Sequence, residues 1–455
     1  MNSPRRQLLL PGVSQFAVDF VIPRIGVDLP LGIDPFLLYK SRDPRLSELH
    51  SILMALFGAG IAATKRRDLT EARRLFRFPE PPEIGFGYTR SGKRGSGIGG
   101  ALTELLLETL LASPRLVERG IRHVEEMQLV SVGIGPDRVS DIVANVLKYQ
   151  LIEYTQKQAA IWSIGLQSGV PVENYFDAST GEWRSGHFDL PTNPENGEPI
   201  ILVPRRIVRT LPWINYDDFL RSEFVSVLKG RRVDRADKRD IVAVSRNEVE
   251  RIDRYVRTKE QTANQATPSR AYLEDQNECE QTEAFKSKLA GIPTGAADAA
   301  AYQQVVLEIL NLLFSPDLID GELEPRTLHG TERRDIVFTN DSDESFWTYV
   351  RTEHSGIFLM FEVKNTEGLD NNHINQTATY LGDRLGRLGF IVTRQPVERA
   401  QQLKLFSVFN DSQPRKVILV LTDDDLNAML DMKCKGTSPM RHIQRLYRQF
   451  RTSVQ

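Results

Sequence analysis

The chain has 455 residues, of which 40% are apolar and 26% are charged, and its formal net charge is −2. This length is enough for two or three domains, and the composition is that of an ordinary globular protein. The near-neutral charge excludes a chain that is basic throughout, so any contact with a polyanion has to come from local patches.

The two cysteines, Cys279 and Cys434, lie far apart in the sequence and form no metal-spaced cluster. We therefore expect reduced thiols, no structural disulfide and a cytoplasmic location. No stretch approaches the roughly 20 apolar residues of a membrane span. The N-terminal stretch MNSPRRQLLLPGVSQ has too short an apolar run for a secretory signal. The sequence thus predicts no membrane partner.

Residues 1–258 predict a mainly helical α+β module of no recognised family. The region opens with extended apolar runs that are broken by proline. Helical periodicity follows at residues 46–67, 101–113 and 139–162, and residues 197–209 predict a strand with a proline break. Further helix is expected to the end of the region.

Residues 259–296 are polar and rich in Gln, Thr, Ala and Glu. This composition predicts a linker, with a short helix around residues 280–290. It would separate the N-terminal module from a C-terminal domain at residues 297–455.

A glycine-rich stretch at residues 87–100 precedes a helical pattern and carries Lys93 and Arg94. Backbone N–H groups in such a loop can cradle a phosphate. The stretch has neither a Walker A nor a dinucleotide-binding pattern, so a flexible loop is the preferred interpretation.

Three other N-terminal features have two interpretations each. Asp137 and Asp141 either form a second acidic centre, or Ser140 or Asp141 caps the next helix, and the cap is preferred. His187 has no second histidine at ligand spacing, which argues against a metal site. The basic stretch at residues 229–240 is either an exposed helix or a contact for nucleic acid.

From residue 297 to residue 455 the pattern becomes regular. Helices and strands follow in the order α-β-β-β-α-β-α-β, with a helical excursion between the second and third strands and more helix at the end. This order predicts a mixed α/β fold in which helices flank a sheet.

The third predicted strand, FLMFEVKN, brings two charges to its polar end. Because residues two apart on a strand point the same way, Glu362 and Lys364 share one face and Val363 lies on the other. Asp335 lies on the preceding strand, 27 positions before Glu362. The charged pair is either a solvated ion pair of little energetic value or the working end of a site.

Asp335, Glu362 and Lys364 form a D…ExK pattern, and residues 297–455 therefore resemble the PD-(D/E)xK nuclease superfamily. Arg334 stands before the aspartate, at a position where the superfamily pattern has proline. The resemblance implies a restriction-endonuclease-like αβββαβ core. It covers about one third of the chain and does not extend to the N-terminal region.

The resemblance also implies a catalytic set. Asp335, Glu362 and the carbonyl of Val363 would hold Mg²⁺ or Mn²⁺, since hard cations prefer oxygen ligands. Lys364 would hold the attacking water or the scissile phosphate. Glu308, on the apolar helix that opens the domain, would join the metal shell.

Gln376 and Tyr380 lie four apart on the helix after the ExK strand, so they share one face. They resemble a Q-x-x-x-Y pair of one sub-branch, in which the pair supports the site and its DNA. Arg384, Arg387 and Arg394 follow as candidates for phosphate contacts or as a solvated face.

The resemblance implies a metal-dependent endonuclease acting on DNA, of the restriction or anti-phage defence kind. It also implies a homodimer, with a partner protein of a defence system as an open option, and a recognition, regulatory or oligomerisation role for residues 1–258. Two alternatives stay open. The same site would cleave RNA, or the fold would be a catalytically inactive nucleic-acid-binding or assembly module.

Overall fold

The computed structural model describes residues 9–10, 13, 15, 17–25, 29–88, 99–194, 196–224, 237–269, 278–323 and 335–454. The chain divides into two compact units. The N-terminal unit comprises Met1–Gly12 and Phe20–Tyr272, and the C-terminal unit comprises Val13–Asp19 and Leu273–Gln455. The structure is mixed α/β, as the sequence predicts.

The described part of the N-terminal unit is mainly helical. Its helices are α1 (Pro35–Lys40), α2 (Pro44–Lys65), α3 (Leu69–Leu75), α4 (Gly99–Leu111), α5 (Pro114–Arg119), α6 (Pro136–Trp162), α7 (Tyr216–Phe224), α8 (Lys238–Asn247) and α9 (Val249–Gln261). Its strands are β1 (Arg24–Ile25), β2 (Gly32–Ile33), β3 (Gly87–Tyr88), β4 (Gln167–Asp177), β5 (Glu182–Leu190) and β6 (Val208–Arg209). Strand β1 pairs with β3, β2 with β6, and β4 with β5.

One strand prediction in this unit needs correction, and one strand pair is not predicted from the sequence. The antiparallel β4–β5 pair is the longest sheet element here among the described residues, and no strand is predicted in that part of the sequence. Strand β4 buries alternate residues from Val170 onward, but one of these is the polar Asn174 and the strand contains Pro171, so the apolar period of two is weak in the sequence. The strand expected at residues 197–209 shrinks to β6, because Pro199 and Pro204 cannot donate backbone hydrogen bonds.

Helix α2 is long and apolar enough to cross a membrane by length and composition, with a mean hydropathy of 1.5 over its best window. The expectation that no stretch approaches a membrane span is therefore wrong on this criterion. Its Leu53, Leu56 and Phe57 are buried within the unit, and the Phe57 ring lies 5.3 Å from that of Phe76. These three residues pack in the core of the unit, and 39% of the apolar window of α2 is buried.

The C-terminal unit is built on a five-stranded sheet. Its strands are β7 (Leu318–Leu323), β8 (Ile336–Asn340), β9 (Phe358–Lys364), β10 (Leu388–Thr393) and β11 (Val417–Thr422), in the spatial order β11-β10-β9-β8-β7. Strands β7, β8 and β9 pair antiparallel, and β9, β10 and β11 pair parallel. The helices are α10 (Glu278–Ala290), α11 (Ala299–Phe314), α12 (Ser345–Glu353), α13 (Asn371–Tyr380), α14 (Arg399–Asp411), α15 (Asp423–Cys434) and α16 (Met440–Ser453).

Strand β9 is the central strand of this sheet, and both of its faces are covered. Phe361 stacks on Phe390 of β10 with ring centroids 4.5 Å apart. On the other face, Met360 belongs to a buried cluster with Ile374 of α13 and Ile391. A strand that is buried on both faces has a continuous apolar sequence. The charged residues of β9 therefore lie only at its carboxyl end.

The segment predicted as a linker contains a packed helix. Thr282, Phe285 and Leu289 of α10 recur at helical spacing and are buried, and α10 packs against α11 and α15. Cys279 of α10 forms a disulfide with Cys434 of α15, with a Cα–Cα distance of 4.5 Å. The expectation of two free thiols is therefore wrong. The division between the two units falls inside the predicted linker.

A short N-terminal stretch, Val13–Asp19, belongs to the C-terminal unit. The side-chain amide of Asn311 in α11 donates to the carbonyl of Ala17 at 3.0 Å. The backbone N–H of Asp320 in β7 donates to Oδ2 of Asp19 at 3.0 Å. A backbone carbonyl and an acidic side chain of this stretch thus anchor it to the sheet domain.

Candidate functional site

Strand pairing brings the three sequence-predicted charges together at one edge of the sheet. Ile336 of β8 is the register partner of Phe361 of β9. Because the two strands run antiparallel, one further step along the ladder places Asp335 opposite Glu362. Lys364 follows on the same face of β9 as Glu362.

The resulting group is tightly connected. The backbone N–H of Val363 donates to Oδ2 of Asp335 at 2.7 Å. Nζ of Lys364 lies 2.7 Å from Oε1 of Glu362 and 3.9 Å from Oδ2 of Asp335. The Lys364 ammonium therefore balances both carboxylates at once.

Within this group Glu362 is buried, whereas Lys364 and Asp335 are partly exposed to solvent. The side chain of Glu362 is 1% exposed, whereas those of Lys364 and Asp335 are 19% and 23% exposed. Burial raises the pKa of Glu362 above its ordinary value, the charge of Asp335 raises it further, and Lys364 opposes both. Its Oε2 is buried and accepts no hydrogen bond within the described part of the chain.

A divalent cation would satisfy the unpaired oxygen of this donor set, in which two carboxylates meet. A buried carboxylate oxygen without a donor is costly, and a cation satisfies it. Mg²⁺ binds proteins through one or two carboxylates and keeps several waters. Among the described residues no group of three or more His, Cys, Asp or Glu side chains is placed to hold an ion. The site thus offers Asp335 and Glu362, with the Val363 carbonyl as the predicted backbone ligand.

Glu308 has a different set of partners. Its Oε2 pairs with Nζ of Lys288 in α10 at 2.6 Å, and Nε2 of Gln304 lies 3.4 Å from its Oε1. Helix α11 packs over the sheet face of Phe338, which is opposite to the face of Glu362. The structure does not bring Glu308 into contact with the other two acids, and its place in a metal shell stays a prediction.

Gln376 and Tyr380 meet each other on α13. Nε2 of Gln376 donates to the Tyr380 hydroxyl at 3.0 Å, as their spacing of four predicts. Gln376 is exposed, while the ring of Tyr380 packs partly on the buried cluster under α13. Their link to substrate stays a prediction.

Sequence reasoning missed four residues around this site. Asn365, directly after β9, donates to the carbonyls of Pro293 and Gly295 at 3.0 and 2.8 Å and so fixes the turn beyond Lys364. Burial lowers the pKa of His373 at the start of α13; Asp370 opposes this, and the charge of Lys364 adds to it. No sequence pattern pointed to His373, Pro293 or Gly295.

The structure separates the three arginines that were grouped as phosphate candidates. Arg394 is buried, lies over the Tyr302 ring at 4.0 Å, and pairs with Asp423 at 3.0 Å. It is a structural residue of the sheet domain. Arg387 donates to Asp383 at 2.9 Å, and Arg384 is exposed.

The structure shows the surroundings of Ser140, Asp137 and Asp141 in the N-terminal unit. Helix α6 begins at Pro136, so Ser140 lies inside it; its hydroxyl accepts from the N–H of Ile33 at 2.9 Å rather than capping the helix. The cap prediction is therefore wrong. Asp137 and Asp141 line a cavity of about 440 Å³ together with Asp34.

Other N-terminal features fall partly or wholly outside the described residues. Lys93 and Arg94 lie in residues 89–98, and most of the basic stretch lies in residues 225–236, all of which are outside the described part of the chain. His187 lies on β5 at the register position opposite Pro171.

Two comparisons with known proteins bear on the chain. Residues 12–215 match a family model described as a domain of unknown function (DUF8370), which is less than half of the chain and precedes Glu308. A protein of Escherichia coli (strain K12), described as a transposon gamma-delta 80.3 kDa protein, is 33% identical over 107 residues. That alignment spans 24% of this chain and 15% of the Escherichia coli protein. The chain is thus similar to a domain of unknown function over its N-terminal part and to a short portion of a protein named for a transposon.

Proposed function

We propose that the C-terminal unit is a metal-dependent endonuclease that hydrolyses phosphodiester bonds of DNA. The observation that carries the proposal is the meeting of Asp335, Glu362 and Lys364 at one sheet edge, with Lys364 Nζ 2.7 and 3.9 Å from the two carboxylates. A solvated ion pair explains Glu362 and Lys364 alone. It does not explain a second carboxylate or a buried Glu362 oxygen without a donor.

Asp335 and Glu362 would hold Mg²⁺ or Mn²⁺, with the Val363 carbonyl as a third ligand. Such an ion lowers the pKa of a bound water and neutralises charge on the phosphate. The Val363 N–H fixes the Asp335 carboxylate, so one of its oxygens keeps a set direction.

Lys364 balances the two acids before a cation arrives. With a cation bound by the two acids, the Lys364 ammonium would hold the attacking water or a phosphate oxygen. It is 19% exposed, so it reaches the open side of the site, where a polyanion would approach. Gln376 and Tyr380 are proposed to support the bound strand from α13.

DNA is preferred to RNA as the substrate. The support is the relative whose description names a transposon, a mobile DNA element. A cytoplasmic restriction or anti-phage defence setting, a homodimer and a partner protein are parts of the same proposal. The N-terminal unit would then provide recognition, regulation or oligomer contacts.

One observation favours a second candidate, a catalytically inactive nucleic-acid-binding or assembly module. Glu308 is held by Lys288, and within the described ranges no three acidic or histidine side chains converge. A module of this kind would bind nucleic acid without a need for divalent cations.

A substrate panel separates these functions. Purified full-length protein is incubated with supercoiled plasmid, single-stranded DNA and RNA, each with Mg²⁺ and with EDTA, and Asp335→Ala is run in parallel. We expect plasmid cleavage that requires Mg²⁺ and Asp335. Cleavage of RNA alone would support the RNA alternative, and nucleic-acid binding without cleavage would support the inactive module.

A further inference from the structure

Helix α16 carries four arginines and no acidic residue. Arg441, Arg445 and Arg448 are spaced four and three residues apart, so they share one face of the helix, and all three are exposed. At 1.5 Å per residue this face spans about 10 Å along the helix axis. We call these three residues the α16 arginine stripe.

The charges of the stripe are not neutralised by the fold. No carboxylate in the described part of the chain forms an ion pair with any of its three residues, and Arg445 meets only a ring nitrogen of His442, at 3.1 Å. By contrast, the exposed Arg73 of the N-terminal unit pairs with Glu104 at 2.7 Å. The stripe is therefore an unbalanced positive surface in a chain of nearly neutral charge.

The sheet register connects this surface to the candidate site. Lys364 is the register partner of Thr393, and Thr393 is that of Thr422. Neighbouring strands lie about 4.8 Å apart, so Thr422 is about 10 Å from Lys364. Oδ2 of Asp425 accepts from the Thr422 N–H at 2.9 Å, and its Oδ1 lies 2.7 Å from Nε2 of His442. The first turn of α16 is thus fixed two strands away from the proposed catalytic group.

The opposite face of α16 packs against other parts of the C-terminal unit. Tyr447 lies 2.9 Å from Nε2 of His354 through its hydroxyl, and the ring of Phe450 packs on Phe406 and Phe409. A helix that binds a membrane surface must place its apolar face in the lipid. In α16 this face is packed inside the C-terminal unit, so the helix presents only its polar side to a partner.

We propose that the α16 arginine stripe docks the sugar–phosphate backbone of double-stranded DNA beside the catalytic group, an inference that rests on the proposed function. Guanidinium groups bind phosphates through paired hydrogen bonds. Contacts of this kind neutralise phosphates without reading sequence, and they position the duplex. Three contacts in a row supply the local basic patch that the net charge of the chain does not provide.

The test measures binding without cleavage. Fluorescence anisotropy of a labelled 30-base-pair duplex is recorded in EDTA over a series of salt concentrations. The triple variant Arg441→Gln, Arg445→Gln, Arg448→Gln keeps good helix formers on exposed positions, and circular dichroism checks its fold. The triple variant Arg73→Gln, Arg74→Gln, Arg184→Gln removes the same charge from arginines that are already paired.

We expect the stripe variant to bind about tenfold more weakly at moderate salt and to lower the salt slope by about three, equally for unrelated sequences, because each lost phosphate contact removes about one unit of slope. The control variant should bind as the wild type does. Wild-type affinity and slope in the stripe variant, or no binding by the wild type, would overturn the inference. A loss confined to anionic vesicles or to duplex RNA in parallel titrations would also overturn it.

The same proteins separate this inference from the proposed function. If the wild type binds through the stripe but cleaves no DNA with Mg²⁺, the docking surface stands and the nuclease assignment fails. If the stripe variant cleaves plasmid with an unchanged KM, the nuclease assignment stands and the docking inference fails.

Discussion

The backbone N–H of Val363 in β9 donates a hydrogen bond to Oδ2 of Asp335 at 2.7 Å. Asp335 directly precedes β8, which pairs with β9. This contact fixes a carboxylate from one strand against the backbone between Glu362 and Lys364 of the next. The acidic pair is thus set by strand register rather than by mobile side chains. Its chemistry then depends on the buried Glu362 oxygen that has no donor.

Replacing the Glu362 carboxylate with an amide should weaken the binding of a divalent cation. We expect Glu362→Gln to weaken Mn²⁺ binding by a factor on the order of 100, because a hard cation needs the charged oxygen. Isothermal titration calorimetry of the full chain measures it. Glu308→Gln is the matched control, since it makes the same substitution in a buried residue that pairs with Lys288. We expect Glu308→Gln to bind within threefold of wild type, by the same principle, and an equal loss in both variants would place Glu308 in the metal shell.

We expect Arg394 to contribute to the stability of the fold and not to the binding of substrate. Its guanidinium donates to Asp423 and to the carbonyls of Leu289 and Ile292, at 3.0, 3.2 and 2.7 Å. Removing one partner of a buried ion pair costs about 3–5 kcal/mol, so Arg394→Ala should lower the unfolding free energy by that amount. Urea unfolding followed by circular dichroism measures this change.

The exposed Arg384 gives the control for that experiment. Arg384→Ala should change the unfolding free energy by less than about 0.5 kcal/mol, as is usual for exposed positions. A small effect of Arg394→Ala, together with a loss of DNA binding, would restore Arg394 as a phosphate contact and contradict its structural role.

His354 should make the C-terminal unit sensitive to acid. It is buried, its Nε2 meets the Tyr447 hydroxyl, and burial, with Arg451 and Arg387, lowers its pKa from 6.5 to about 4. The unfolded chain therefore takes up a proton below pH 6.5 that the folded chain resists, so stability falls as the pH drops from 6.5 towards 4. One pKa unit corresponds to about 1.4 kcal/mol, which gives about 2 kcal/mol at pH 5.

The change between pH 7 and pH 5 tests this sign. The unfolding free energy of wild type should fall by about 2 kcal/mol more than that of His354→Gln, which cannot gain a proton. Denaturant titrations at the two pH values give both quantities. Parallel losses in the two proteins would show that His354 is not the group responsible.

Much of the C-terminal unit could be predicted from the sequence because its strands are short and its helices are amphipathic. The continuous apolar run of β9 is typical of a buried strand, and Phe361 and Met360 are buried on opposite sides. Asp335, Glu362 and Lys364 could be grouped because alternation along a strand and the order of the strands determine which residues meet.

The rest depended on contacts that no local pattern encodes. The Cys279–Cys434 disulfide joins residues separated by 155 positions, and its first cysteine lies in a stretch whose polar composition resembles a linker. Lys288, which pairs with Glu308, lies in the same stretch. Ser140 was assigned to a cap because it begins an apolar pattern, but Pro136 starts the helix one turn earlier.

The most direct test of the central claim is Mg²⁺-dependent cleavage of supercoiled plasmid by Lys364→Ala and Asp335→Ala, with Lys288→Ala as a control that also removes a lysine paired with a glutamate. We expect each site variant to lose at least about 100-fold in cleavage rate, since both groups would act on developing charge, while Lys288→Ala keeps most of the activity. Cleavage that persists at the wild-type rate in both site variants would contradict the account.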